Sequence, residues 1–151
     1  MDFTDKQILK LIQEKADLPL ADVARKVGIS KTACWNRIRR LEETDIITGR
    51  YTKLNRVLLD LPVVVFLDIT VRRHSKEWVE QFQTIIDSYP EIVEVHRMTG
   101  DRADYQLKIL CTSIEDYDRL QQELIAKIEF NSMSSHMSLL ELKNANALPI
   151  K

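Results

Sequence analysis

Between Val23 and Leu41 stand six basic residues, Arg25, Lys26, Lys31, Arg37, Arg39 and Arg40, with no acid among them. Clustered guanidinium and ammonium groups meet phosphates. In the same stretch Asn36 can bond an adenine edge with two hydrogen bonds, and an arginine can do the same to guanine. The chemistry on offer is recognition of a nucleic acid, unless these cations merely solvate a helix surface. Other chemistries find little footing. Cys34 and Cys111 are too few for a disulfide framework or a cysteine-based zinc site. His74, His96 and His136 are scattered, with no His-Glu-x-x-His spacing and no Ser/His/Asp or Cys/His grouping. No catalytic residue, cofactor or metal is therefore assigned, and Cys34 reads as a small core residue.

The elements that must position the cations read as three helices. Thr4 and Gln7 have capping-box spacing, with Phe3 and Ile8 placed as a hydrophobic staple, and Ile8, Leu11 and Ile12 continue one apolar face. Pro19 marks a break. Leu20, Val23, Ala24 and Val27 form a single stripe, and Gly28 ends that helix. Ser30 offers an N-cap for a third helix from about Lys31 to Glu43. Helix, short glycine turn and helix make a helix-turn-helix. In the third helix Cys34, Ile38 and Leu41 stack on one side, while Thr32, Asn36, Arg39 and Glu43 lie opposite with Arg40 alongside. Short hydrogen-bonders early and arginines later suit a helix whose first turns enter the major groove while later residues touch phosphates. The candidate DNA contacts are Ser30, Lys31, Thr32, Asn36, Arg37, Arg39 and Arg40. Residues 46–48 and 51–54 are β-prone around Gly49 and Arg50, the size of a wing hairpin, which adds Arg50 to the set.

After a hinge at residues 55–61, the chain reads strand, helix, strand, strand, helix, strand. Residues 62–71, 92–99, 105–112 and 130–143 are the strands; Ser75 and Ser113 cap the helices, and Pro90 stops the first of them. That order is the ferredoxin-like split βαβ unit. The fold class is α+β: a winged helix-turn-helix over residues 1–54 and a ferredoxin-like βαββαβ domain over 62–151. Val63 and Val65 alternate with Phe66, so both faces of the first strand look apolar. A second copy of the domain would cover the face that the helices leave open, giving a two-fold homodimer and a pseudo-palindromic DNA site.

Whole-chain composition agrees. In 151 residues, 44% are apolar and 30% charged, the balance of a globular chain. The net charge of −1 hides an asymmetry: residues 1–60 hold 12 Lys/Arg against 9 Asp/Glu, and residues 61–151 hold 10 against 14. No run reaches the ~18 apolar residues of a membrane helix. The first residues lack the basic-then-apolar pattern of a secretion signal, so a cytoplasmic location with no membrane partner is expected.

The ordered series resembles the Lrp/AsnC (leucine-responsive, or feast/famine) family of transcription regulators over nearly its whole length. It runs through Asp5-Lys6-Gln7-Ile8-Leu9, Val27 to Cys34, Arg37 to Glu42, Ile46-Ile47, Met98-Thr99-Gly100-Asp101 with Asp104-Tyr105, and Leu142-Lys143 to Leu148-Pro149-Ile150. The resemblance implies a sequence-specific DNA-binding regulator whose C-terminal domain is an ACT-like (RAM) sensor of amino acids. It also implies dimers that assemble into tetramers or octamers. The effector would sit at the loop between the second and third strands. By position that loop is Gly100, Asp101, Arg102, Ala103 and Asp104, with Ser134 and His136 of the last strand as polar partners. Glycine lets a backbone approach a ligand, and a carboxylate can hold an α-ammonium group. The family usually has one residue between Gly-Asp and Asp-Tyr; here Arg102 and Ala103 make two.

The partners expected are double-stranded DNA, an amino-acid effector and further copies of the chain. Two other readings use the same residues: a nucleoid-like architectural protein with little sequence preference, or a metabolite-binding module acting on protein partners.

Overall fold

The computed structural model describes residues 1–145 and 147–151, which form two compact units. The first comprises Met1–Lys53 and Leu142–Lys151, the second Leu54–Glu141. The sequence places the last ten residues in the second domain, but they group with the first. Hydrogen bonds account for this: the Gln13 side chain donates to the Leu148 carbonyl (3.2 Å) and accepts from the Leu148 N–H (2.9 Å). Lys53 Nζ also donates to the carbonyl of Asn144 at 3.3 Å.

In the first unit α1 (Phe3–Glu14), α2 (Leu20–Val27) and α3 (Lys31–Glu43) pack around Ile8, Val23, Ala24, Cys34 and Ile38. The start of α1 differs from the expected Thr4 cap. Asp2 is the N-cap and closes a capping box with Asp5, each side chain accepting from the other's backbone N–H at 2.8 and 2.9 Å. The Asp2–Asp5 pair satisfies both end donors, so the helix begins before Thr4, and Phe3 is left exposed rather than stapled. Gly28, at φ +75°, turns the chain left-handed between α2 and α3, and Ser30 caps α3 by accepting from the Ala33 N–H. The wing hairpin expected over 46–48 and 51–54 is not paired as strands. The N–H groups of Ile46 and Ile47 both go to the Leu41 carbonyl and so close the end of α3 instead.

In the second unit β1 (Val63–Thr70), α4 (Lys76–Asp87), β2 (Ile92–Arg97), β3 (Tyr105–Cys111), α5 (Ile114–Lys127) and β4 (Ser132–Met137) follow the expected order. The sheet is antiparallel, in the order β2-β3-β1-β4. Alternation sets its two faces. Val65, Leu67 and Ile69 of β1 join Leu107 and Ile109 of β3 under Phe82 and Ile86 of α4 and Leu120 and Leu124 of α5. β4 is shorter than the 130–143 run suggests. Its register reaches Val65↔Met137, and one further bond joins Ser138 N to the Val64 carbonyl. β1 itself begins at Val63, which lies opposite Leu139 in this register, so the residues after Leu139 face no residue of β1. The residues expected as a hinge carry a single 3₁₀ turn, Val57–Leu59, and Arg56 braces it by donating to the carbonyls of Leu61 and Pro62.

The outer face of the sheet is less apolar than expected for a β1 apolar on both faces. On β1 it carries Val64 and Phe66, then Asp68 and Thr70; β3 adds Gln106, Lys108 and Leu110; β4 adds Ser132, Ser134 and His136. The apolar part is confined to Val64, Phe66 and Leu110. No helix described in the chain is long and apolar enough to cross a membrane.

Candidate nucleic-acid interface and effector site

The helix-turn-helix sets which side chains of α3 face outward. Cys34, Ile38 and Leu41 are buried, so the 100° step leaves Lys31, Thr32, Asn36 and Arg39 exposed. The side chains of Lys31, Thr32 and Asn36 make no hydrogen bond or ion pair among the described residues. Ser30 spends its hydroxyl on the Ala33 N–H as a cap while remaining exposed. Arg39 bonds Glu43 at 2.8 Å, with its guanidinium 5.4 Å from the centre of the Trp35 ring. Arg50 pairs with Glu42 at 2.8 Å. All eight expected residues lie in one unit, but their states differ.

Arg37 and Arg40 do not simply point at solvent. Arg37 Nη1 lies 2.6 Å from Asp2 Oδ2 and 2.8 Å from Asp5 Oδ1, and its side chain is only 29% exposed. Arg40 Nη2 lies 2.7 Å from Asp5 Oδ2. Asp5 has no solvent exposure at all. Burial opposes its ionisation. Hydrogen bonds from the Asp2 N–H and the Arg37 guanidinium, with the charge of Arg40 nearby, outweigh that and hold its carboxyl below the usual range. Sequence reasoning missed this clamp. The available signal was an acid pair at the start of α1 with no lysine or arginine close in sequence to balance Asp5 except Lys6.

The loop between β2 and β3 divides in the same way. Gly100 has φ +123°, a conformation that other residues resist, though a Cβ there would meet no neighbour within 4 Å. Asp101 and Arg102 are exposed, whereas Ala103 is buried. Asp104 is occupied by its own fold. Its Oδ2 accepts from the Val71 N–H at 2.8 Å, its Oδ1 lies 3.3 Å from His74 Nε2, and its N–H donates to the Ile69 carbonyl. The bond from Val71, helped by His74 and overcoming partial desolvation, lowers the Asp104 pKa. Asp104 therefore ties the loop to the end of β1, while Asp101 and Arg102 beside it stay exposed. Ser134 and His136 sit together on the outer face of β4, 3.3 Å apart. His136 Nε2 is 3.4 Å from Asp68 Oδ2, and Gln106 donates to the other Asp68 oxygen at 2.9 Å. No hydrogen bond among the described residues joins this group to the loop. Asp68 and Gln106 were missed; the signal for Asp68 was a carboxylate interrupting an apolar strand. No group of three metal-ligating side chains occurs among the described residues.

The comparisons with known proteins follow the same division. A family model described as winged helix-turn-helix DNA-binding matches residues 1–48, and one described as the Lrp/AsnC ligand binding domain matches residues 64–148. The chain is 37% identical over 150 residues to a glutamate uptake regulatory protein of Zymomonas mobilis, covering 99% of this chain and 91% of that protein. An AsnC family transcriptional regulator from Agrobacterium tumefaciens superposes with a TM-score of 0.93 at 40% identity, covering 99% and 97%. A transcriptional regulator from Neisseria meningitidis, solved as an L-Met complex, superposes with a TM-score of 0.92 at 25% identity, covering 99% and 96%.

Proposed function

The chain belongs to the Lrp/AsnC family of DNA-binding transcriptional regulators, and from that premise we propose that the outward side of α3 reads its operator while an amino acid at the β2–β3 loop tunes binding. One observation carries the DNA half. Lys31, Thr32 and Asn36 stand exposed and unengaged at the start of α3, directly after a helix-turn capped by Ser30. Base-edge contacts carry the sequence information, while phosphate contacts fix register and orientation. Asn36 reads a base edge, Lys31 and Thr32 work beside it, and Arg39, Arg40 and Arg50 meet phosphates. Arg37 acts inward, through the clamp.

For the effector, the ligand-binding domain, the relative's glutamate-uptake name and the neighbour's L-Met complex support an amino acid. Gly100, Asp101 and Arg102 form its first contacts, since Asp101 can hold an ammonium and Arg102 a carboxylate. Ser134 and His136 act from the outer face of the sheet. The effector works by binding one assembly state better than another. We take that assembly to be a homodimer through the outer face of the sheet around Phe66 and Leu110, building to tetramers or octamers in the cytoplasm.

Selection of bound genomic fragments, followed by gel shifts with each amino acid, tests the reading. Recovery of discrete promoters whose retardation changes with one amino acid is expected. Even recovery across the genome would instead make this an architectural protein, and absence of DNA binding at low salt would leave only the protein-partner reading.

A further inference from the structure

Arg40 has two environments at once. One amino group is fixed 2.7 Å from the fully buried Asp5, yet the side chain remains 56% exposed. A guanidinium offers five N–H donors in a rigid plane, and Asp5 takes one of them. The carboxylate cannot swing away to follow it. Its Oδ1 is held by Arg37 and its Oδ2 also accepts the Asp2 N–H, so two bonds besides that of Arg40 fix it. Arg37 bridges Asp2 and Asp5 together, which leaves Arg40 with a single inward bond among the described residues.

We propose that Asp5 is the positioning residue for a phosphate contact by Arg40: a buried carboxylate of α1 that anchors one edge of the guanidinium so that its other edge meets the DNA backbone preorganised. The inference rests on the DNA-reading assignment of α3 and adds to it a residue on another helix that touches no DNA. An anchored guanidinium loses less freedom on binding than a free one, and that difference appears as affinity.

The proposal fixes a sign that electrostatics alone reverses. An aspartate near DNA repels it, so a purely Coulombic Asp5 would weaken binding, and Asp5→Asn would then tighten it. A positioning Asp5 makes the same change weaken binding.

The test measures the affinity of the full chain for one bound fragment, across a salt series, on variants shown by circular dichroism to be folded at the assay temperature. Arg40→Gln is expected to weaken binding about tenfold and to lower the salt slope by about one. Asp5→Asn is expected to weaken it roughly five- to tenfold, and the double variant no further than Arg40→Gln alone. Arg40→Lys supplies the control that leaves the Asp5 side chain itself unchanged. It keeps the charge but lacks the fork needed to bridge carboxylate and phosphate, so it should resemble Arg40→Gln. Tighter or unchanged binding by Asp5→Asn, additive losses in the double variant, or wild-type binding by Arg40→Lys would each overturn the proposal. If Arg40→Gln is silent while Asn36→Ala still abolishes fragment preference, the positioning role falls and the α3 reading stands. Failure of the wild-type chain to bind DNA removes both.

Discussion

The two units stabilise themselves by different means. The second has a broad apolar core, with Val65, Leu67, Ile69, Leu107, Ile109 and Leu124 all sealed from solvent. Its candidate ligand residues Asp101 and Arg102 lie outside that core on an exposed loop. The first has a small core of a few aliphatic side chains and adds a buried carboxylate gripped by two arginines of the helix expected to read DNA. On the proposed assignments, stability and ligand response rest on separate residues in the second unit, whereas in the first one set of charges serves fold and function together. Substitutions should therefore separate the two properties in one unit and couple them in the other.

The largest effect is expected in the apolar core. Leu107→Ala removes a fully buried side chain between strands and helices and should cost about 3–4 kcal/mol by chemical denaturation. Its effect on DNA affinity should be no more than that of the lost folded fraction. Asp5→Ala comes next. It leaves Arg37 and Arg40 without their shared partner and should cost about 3 kcal/mol, at the low end of the range for a broken buried pair because Arg40 is half exposed. Unlike Leu107→Ala, it should also weaken DNA binding at temperatures where the protein is fully folded. If both variants lose stability and keep DNA affinity, the contrast between the units is wrong.

A pH titration sharpens the same comparison. The Asp5 pKa is lowered in the folded state, so the stability it contributes is complete above the ordinary aspartate value of about 3.9. It is lost as pH falls through the lower folded value. The depressed Asp2 acts in the same direction, its carboxyl held down by the Asp5 N–H and by Arg37. The chain has one tryptophan in each unit, Trp35 and Trp78. Fluorine NMR of 5-fluorotryptophan protein thus reports on each unit separately. Asp104 and Glu94 of the second unit are depressed too, but they are half-buried or exposed whereas Asp5 is buried. Below pH 4 the Trp35 signal should therefore move to its unfolded position before that of Trp78; the reverse order would give the second unit the larger acid-labile contribution.

How far the sequence revealed this division depends on the kind of interaction. Helices α2 and α3 and the strand-helix order of the second unit were legible, because they rest on periodic apolar stripes and on capping residues that act locally. The true start of α1 was not, because two overlapping capping boxes compete there and tertiary pairing of Asp5 with α3 decides between them. The strand pairing expected at residues 46–48 and 51–54 is not formed, because Ile46 and Ile47 give their N–H groups to Leu41. The length of β4 failed because a strand stops where its partner does, which alternation in one strand cannot reveal. At the sites, exposure of Lys31, Thr32 and Asn36 followed from helical periodicity. The inward turn of Arg37 and the engagement of Asp104 with Val71 did not, since each depends on a partner more than thirty residues away.

The smallest stability change is expected at the loop. Asp101→Ala should alter unfolding free energy by less than about 0.5 kcal/mol, as for an exposed side chain. It should nevertheless abolish the thermal shift produced by whichever amino acid the wild-type chain binds. Asp104→Ala should do the opposite in part, lowering the melting temperature because the Val71 N–H loses its acceptor. If the two variants behave alike, the division of that loop into a ligand-facing and a structural carboxylate fails.

The most direct test of the account is the ratio of affinities for a selected operator fragment and a random duplex of equal length, at one salt concentration, for wild type and Asn36→Ala. The account predicts a wild-type preference of about 10³-fold or more, most of it lost in Asn36→Ala while affinity for the random duplex is unchanged. An equal ratio in the two proteins, or no preference in the wild type, would contradict it.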